Sequence, residues 1–288
     1  MVETRPLELS DRELGRVADL LGVAFGSPGH LDVGYLDWCY RRSPRGRAIG
    51  RNAWRGDLLV AHYVTVPLRA RLFGEERSGV LSLHTATHPE SRGRGLFTRL
   101  AEDTYADAAA AGADFVLGVA NAASTPGFVG KLGFQLVAPL DVRVGLGAPP
   151  AGGAASEVEL ERAWSQEELA WRLACPARGY RRGASGGGVT IYAPTGRFGI
   201  WIELARRPAS ECRLGSALAR LPGLGVRNPI RMWMGLDPDR DWSGQPWPRL
   251  PARLRPSPLN LIYRDLRTPG RRLDAGHVRF AAIDFDAY

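Results

Sequence analysis

The most constraining part of the chain is the run Val80-Leu81-Ser82-Leu83-His84-Thr85-Ala86-Thr87-His88-Pro89-Glu90-Ser91-Arg92-Gly93-Arg94-Gly95-Leu96-Phe97-Thr98-Arg99-Leu100. It reads as a strand, a glycine-rich turn and the start of a helix. The first amides of a helix have no carbonyl to donate to, and with the helix dipole they favour an anion. Gly93 and Gly95 let the backbone approach that anion with no Cβ between. Arg92 and Arg94 put positive charge beside it. The stretch therefore predicts a diphosphate site. Its spacing fits neither the G-x-G-x-x-G of dinucleotide folds nor the G-x-x-x-x-G-K-[ST] of nucleotide triphosphate loops.

Downstream, a helix is predicted over 96–111 and broken at Gly112, followed by the apolar run Phe115-Val116-Leu117-Gly118-Val119-Ala120 and Asn121. The segment Pro126-Gly127-Phe128-Val129-Gly130-Lys131-Leu132-Gly133-Phe134 comes next. Taken with Arg92-Gly93-Arg94-Gly95-Leu96, this order resembles the GNAT N-acetyltransferase superfamily, whose acyl-CoA signature is [QR]-x-x-G-x-[GA]. Phe97 departs from the last place and is expected to pack under the helix. The resemblance implies an α/β (α+β) fold, a mixed and mostly antiparallel sheet flanked by helices, with acetyl-CoA as cosubstrate. The diphosphate is then expected on Arg92, Gly93, Arg94, Gly95, Leu96 and Phe97, and the pantetheine arm along Ala86, Thr87 and His88 towards Asn121 and Phe128.

Composition narrows the class. With 288 residues and 44% hydrophobic content the chain can form two modest domains or one large one. No run approaches the roughly 18 apolar residues of a membrane span, and Met-Val-Glu-Thr-Arg opens no signal core, so a soluble cytoplasmic protein is expected. Cys39, Cys175 and Cys212 have no metal-ligand spacing and are expected to be free thiols. The net charge of +8 would ordinarily suggest nucleic acid. Lys131 is the only lysine, however, and the arginines are spread along the whole chain, which looks like codon bias more than a binding face.

Ahead of the organising stretch, Leu14, Val17, Ala18, Leu20, Leu21 and Phe25 recur at helical spacing after a cap at Ser10 or Asp11. Val33 to Arg42 follows, with Tyr35 and Trp38 as packing or substrate-contact aromatics. Alternation predicts strands over 48–54, 58–68 and 69–73, with His62 as a lone histidine, and a closing strand over 135–144. A Gly/Pro/Ala segment, 147–156, suggests a linker between a domain over 1–146 and a second over 157–288.

The second half echoes the first. Leu169-Ala170-Trp171-Arg172 answers Leu36-Asp37-Trp38-Cys39, and 250–264 answers 130–144. A strand near 199–205, a short helix near 210–221 and a strand over 230–235 complete a degenerate GNAT-like unit. Its counterpart of the phosphate turn, near 207–215, lacks the glycine pair, so one CoA site per chain is expected. Trp201, Trp233, Trp242 and Trp247 are candidates for a cleft wall or for core. The alternating run Val278 to Tyr288 is expected to pair into a sheet.

The reaction the resemblance implies is direct attack of an amine on the thioester. An alkylammonium has a pKa of about 10, so a base or water relay is needed. His84 lies on the strand that carries the superfamily's base, and an ordinary histidine titrates near working pH. One residue of register decides which face it takes. A backbone amide at the end of strand 81–87 is expected to hold the oxyanion. The usual acid tyrosine is replaced by Phe128-Val129, which leaves Ser124, Thr125, solvent, or Tyr288 and the terminal carboxylate aided by Asp286. The expected catalytic set is His84, Asp286 and Tyr288, with a small-molecule amine as partner and no metal. A non-catalytic acyl-CoA-binding module, or an enzyme using another acyl group or acceptor, is the alternative.

Overall fold

The computed structural model describes residues 2–26, 29–152, 156–185, 188–213, 215–225, 229–251, 254 and 258–285. The N-terminal half contains β1 (Glu3–Pro6), α1 (Asp11–Phe25), α2 (Val33–Arg41), β2 (Ile49–Arg55), β3 (Leu58–Leu72), β4 (Glu75–Thr87), α3 (Leu96–Ala110), β5 (Phe115–Ala120), α4 (Thr125–Lys131), β6 (Gln135–Pro139) and β7 (Asp141–Leu146). Helix starts follow local chemistry. The Ser10 hydroxyl accepts from the Glu13 amide at 3.3 Å and the Asp32 carboxylate from the Tyr35 amide at 2.8 Å, each satisfying one donor the helix cannot. The two strands expected over 58–68 and 69–73 form one continuous β3.

The second half adds β8 (Leu160–Arg162), α5 (Gln166–Leu173), β9 (Arg181–Ser185), β10 (Gly188–Pro194), β11 (Trp201–Pro208), α6 (Ala217–Arg220), β12 (Ile230–Leu236), β13 (Asn260–Asp265) and β14 (Val278–Ala281). Among the described residues these strands form one 14-stranded mixed sheet. Its main path is β6-β13-β5-β4-β3-β8-β14-β12-β11-β10-β9, with β1 and β2 branching from β3 and β7 pairing with β12.

Two strands cross between the halves. The closing strand expected over 135–144 is broken at Leu140, because Pro139 has no amide to continue the ladder. β6 stays with the first half, whereas β7 pairs antiparallel with β12 in the second. In return β13 lies between β5 and β6, antiparallel to both. These are the segments that echo each other in the sequence, and their surroundings match: β7 also meets Arg249 on its other edge through a bridge at Arg143. Composition thus marks a boundary at 147–156 while hydrogen-bonded pairing crosses it in both directions. The terminal alternation yields only a four-residue strand, since the chain turns in a 3-10 helix over Ala282–Asp284. β14 nonetheless ties the halves together, parallel to β8 and antiparallel to β12.

The sheet of the first half separates two apolar layers. α1 and α2 cover one face with Leu14, Leu21, Tyr35 and Leu36, and α3 and α4 the other with Leu100, Tyr105 and Phe128. The two repeat tryptophans meet where the halves join. Trp38 and Trp171 stack at 4.7 Å and 15°. Trp38 Nε1 donates to the Trp171 carbonyl at 2.9 Å and Trp171 Nε1 to the Trp38 carbonyl at 3.0 Å. A reciprocal pair of this kind is what a local two-fold relation between repeats produces, and it gives each buried indole N–H its acceptor. Trp38→Ala should cost about 3–5 kcal/mol, and adding Trp171→Ala should cost clearly less than the sum of the single changes. Urea unfolding of the single and double variants measures this, and strict additivity would deny the pairing any energetic role.

Candidate active site

Parallel pairing between β4 and β5 covers only Gly79–Ser82 against Phe115–Gly118. Gly79 is needed for it, because a Cβ there would stand 2.4 Å from the Phe115 ring. Past Ser82 the strands part, and the gap opens into a cleft of about 610 Å³. His84, Thr85, Ala86 and Thr87 line one wall, Val119, Asn121 and Ser124 the other, with Arg92, Phe97 and Phe128 at one end and Phe25 at another.

The departure of β4 coincides with a bulge. Val64 of β3 opposes Leu83 and His62 opposes Ala86, so His84 and Thr85 face the single residue Tyr63. His84 takes up the extra residue with φ 47°, a conformation costly for a residue with a Cβ. The result resets the alternation. Ser82 meets Tyr63 on the α3 face at 2.6 Å, Leu83 packs in the layer of α1 and α2, and His84 also turns to that layer instead of away from it. Its Nδ1 lies 2.9 Å from the Tyr40 hydroxyl and its Nε2 3.5 Å from the Tyr35 hydroxyl. Burial lowers its pKa to about 3, with His62 and His30 adding to the shift. The expectation of a histidine titrating near working pH is therefore corrected: His84 is neutral throughout that range.

The turn that follows has the features an anion needs. Pro89–Ser91 forms a 3-10 turn, Gly93 and Gly95 both adopt φ 74°, and α3 starts after Gly95 with no side chain capping its amides. A Cβ at either glycine would meet nothing within 4 Å, so the surrounding protein leaves that space open. Phe97 packs under the helix as expected, edge-on to Phe128 at 5.1 Å, and Gly127 makes room for its ring. Leu96 is buried in the core of α3, which leaves only its backbone to face a ligand. His88 starts the 3-10 turn without a capping side-chain bond. It lies outside the lining of the cleft, as do Gly93, Arg94 and Gly95 on the exposed turn. Asn121 braces the opposite wall, its Oδ1 accepting from the amides of Ala123 at 3.0 Å and Ser124 at 2.9 Å.

Asp286 and Tyr288 lie outside the described residues. The chain leading to them is anchored beside β4: Arg172 donates to the Phe285 carbonyl at 3.2 Å, and Phe285 shares a small cavity with Leu81, Leu83 and Trp38. None of the four tryptophans considered for the wall lines the cleft. Trp233, Trp242 and Trp247 instead pack on one another at 5.0 and 5.9 Å in the second half. Sequence reading passed over Glu13, Tyr40, Asn52 and the partners of His62, all near the site. Asn52 and His62 carried a signal, as polar side chains at core-facing positions of apolar strands, whereas Glu13 and Tyr40 lie on α1 and α2.

The second half repeats the gap, which there opens into a cavity of about 440 Å³ lined by paired charges. β11 and β12 pair over Trp201–Glu203 and Arg231–Trp233 and then part. Charged side chains occupy the edges of that gap: Arg240 pairs with Glu203 at 3.0 Å and Asp237 at 3.3 Å, and Arg206 with Glu203 at 3.2 Å. The turn after β11 carries an Arg207–Glu211 ion pair at 2.8 Å and leads to a four-residue helix.

Comparison with known proteins agrees with this geometry. The family model described as an acetyltransferase (GNAT) domain matches residues 5–137. A sequence search of curated proteins matches none. Among solved structures, a probable N-acyltransferase of unknown function from Enterococcus faecalis superposes with a TM-score of 0.64 at 10% identity, covering 92% of this chain and 73% of the other. GCN5-related N-acetyltransferases from Kribbella flavida and Anabaena variabilis superpose with TM-scores of 0.60 and 0.60 at 14% and 13% identity. They cover 92% and 91% of this chain and 71% and 73% of theirs. No helix among the described residues is long and apolar enough to cross a membrane. The parted strands, the glycine turn and the uncapped helix all lie inside residues 5–137, the part of the chain that matches the acetyltransferase (GNAT) domain model.

Proposed function

We propose that this protein transfers the acetyl group of acetyl-CoA to the amine of a small molecule by direct attack. One juxtaposition carries the reading: the parted strand end opens a cleft that Arg92 and Phe97 reach, and between those two residues lie two left-handed glycines and an uncapped helix N-terminus. In this reading the CoA diphosphate rests on the amides of residues 93–97, beside Arg92. The pantetheine arm runs along Ala86 and Thr87 towards Asn121, where β4 offers backbone that β5 no longer pairs. The volume of about 610 Å³ is within the range of small-molecule pockets and favours a compact acceptor.

The amine nitrogen attacks the thioester carbonyl carbon, and a backbone amide of the parted strand holds the oxyanion. The carbon–sulfur bond then breaks, the amine gives up one proton and the CoA thiolate takes up one. His84, neutral and facing the cleft, accepts the amine's hydrogen at Nε2 directly or through water. The thiolate's proton is assigned to the segment 286–288, just beyond Phe285. The ion-paired gap between β11 and β12 supports one CoA per chain, because its arginines are already neutralised by Glu203 and Asp237.

Three outcomes test the reading. Gly95→Val should weaken acetyl-CoA binding at least tenfold, about 1.4 kcal/mol, at a saturation of one equivalent per chain. Unchanged affinity in calorimetry, or two equivalents, would retire the placement. His84→Ala should lower kcat by about 10²–10⁴ with little change in acetyl-CoA affinity, and deletion of 286–288 should also cost kcat more than binding. Binding without turnover across a panel of amines would favour the non-catalytic alternative. Since His84 protonates only near pH 3, kcat/KM should show no acid limb centred on 6.5. The limb should instead move with the basicity of the amine, and a fixed limb near 6.5 for every amine would contradict this account.

A further inference from the structure

Behind His84 a chain of hydrogen bonds runs through the core. The Tyr40 hydroxyl, 2.9 Å from His84 Nδ1, is also 3.2 Å from His62 Nε2. His62 Nδ1 is 2.6 Å from Asn52 Oδ1, and Asn52 Nδ2 donates to the Glu13 carboxylate. Tyr40, Asn52 and His62 are at most 1% exposed and Glu13 is 8% exposed. The chain connects α1, β2, β3, α2 and β4, so no pair of its members is local in sequence.

The chemistry of its ends fixes the direction of every bond. Burial raises the pKa of Glu13, but its Oε1 accepts from the Glu8 amide at 3.1 Å as well as from Asn52, and an oxygen that takes two donors carries no hydrogen, so the Asn52 amide turns its nitrogen to Glu13 and its oxygen to His62. His62 Nδ1 must then carry a hydrogen. A second hydrogen on Nε2 would make a buried imidazolium whose ring nitrogens meet only an amide oxygen and a phenol, which is costly, and burial lowers the pKa of His62 to about 3. Nε2 of His62 is therefore an acceptor, and Tyr40, kept neutral by burial, donates its only hydrogen there. The Tyr40 oxygen in turn accepts from His84 Nδ1–H.

We infer that Glu13, through Asn52, His62 and Tyr40, sets the tautomer of His84, holding the hydrogen on Nδ1 and the lone pair on Nε2. The four are positioning residues: none touches the reacting atoms. The inference rests on the proposed role of His84 as the proton acceptor, but its structural content is separable from that role. A histidine held with Nε2–H would donate to the amine instead of accepting from it, so the tautomer determines whether the ring can serve as a base.

Ring ¹⁵N chemical shifts and two-bond proton–nitrogen correlations on the full chain with labelled histidine read the tautomer without turnover. The wild-type protein at pH 7 should show His84 and His62 each as a single Nδ1–H form. Glu13→Gln is nearly isosteric, but its amide can donate to Asn52 Oδ1, so Asn52 can turn over and the whole chain can reverse. His84 should then show a mixture with a substantial Nε2–H population, although the substitution lies four contacts away along the chain. Tyr40→Phe cuts the chain and should likewise release the tautomer. In Glu13→Gln, kcat should fall about twofold to tenfold, with the KM for acetyl-CoA unchanged. An Nε2–H form of His84 in the wild-type protein, or an unchanged tautomer in both variants, overturns the inference. A tautomer that shifts while kcat stays put supports the chain and instead removes His84 from its proposed role as base.

Discussion

The backbone pairing between β4 and β5 ends after four residue pairs, and the site depends on that ending. Were the ladder to continue, Leu83–Thr87 would spend its amides on β5 and no gap would exist for a ligand. A bulge at His84 turns β4 away, and the same bulge brings the His84 ring against Tyr35 and Tyr40 of α2. The left-handed backbone at a histidine is a local cost of order 1–2 kcal/mol. Antiparallel pairing of β4 with β3 on both sides of the bulge, and the contacts of the ring with Tyr35 and Tyr40, hold it in place.

The two halves of the chain show how one geometry can be lined in two ways. Each has parallel strands that pair briefly and part, and each receives one strand from the other half, β13 into the first and β7 into the second. In the first half, small residues follow the parting: Gly93, Gly95 and Gly127 leave room for a ligand and for Phe97. In the second, long charged side chains follow it, and Glu203, 2% exposed, is tied to Arg206 and Arg240. Separating such a buried pair leaves an uncompensated charge, so these side chains stay paired with one another.

The strand exchange also explains why the stacked tryptophans sit at the junction. Trp38 and Trp171 occupy matching places in the repeat, so a two-fold relation brings each indole to the other's backbone carbonyl. Packing, pairing and hydrogen bonding therefore couple the halves through the same residues, with β8 and β14 continuing the sheet between them.

The sequence alone determined what short-range chemistry controls. Ser10 and the periodicity behind it gave the bounds of α1, and Gly93 and Gly95 between a strand and a helix gave the left-handed turn before α3. The order of segments through Phe134 gave the resemblance to the acetyltransferase (GNAT) domain whose model matches residues 5–137. The face of His84 was not legible, because strand alternation has a period of two and a single bulge residue reverses it. The break at Leu140 was signalled by Pro139, but the destination of β7, and the arrival of β13 between β5 and β6, depended on partners more than a hundred residues away. His62 read as a lone histidine because its partners, Asn52 and Tyr40, come from other elements. The surroundings of His84 were decided by tertiary structure, since its desolvation and a hydrogen-bond chain that reaches Glu13 through three side chains exist only once the sheet and the two helices have packed.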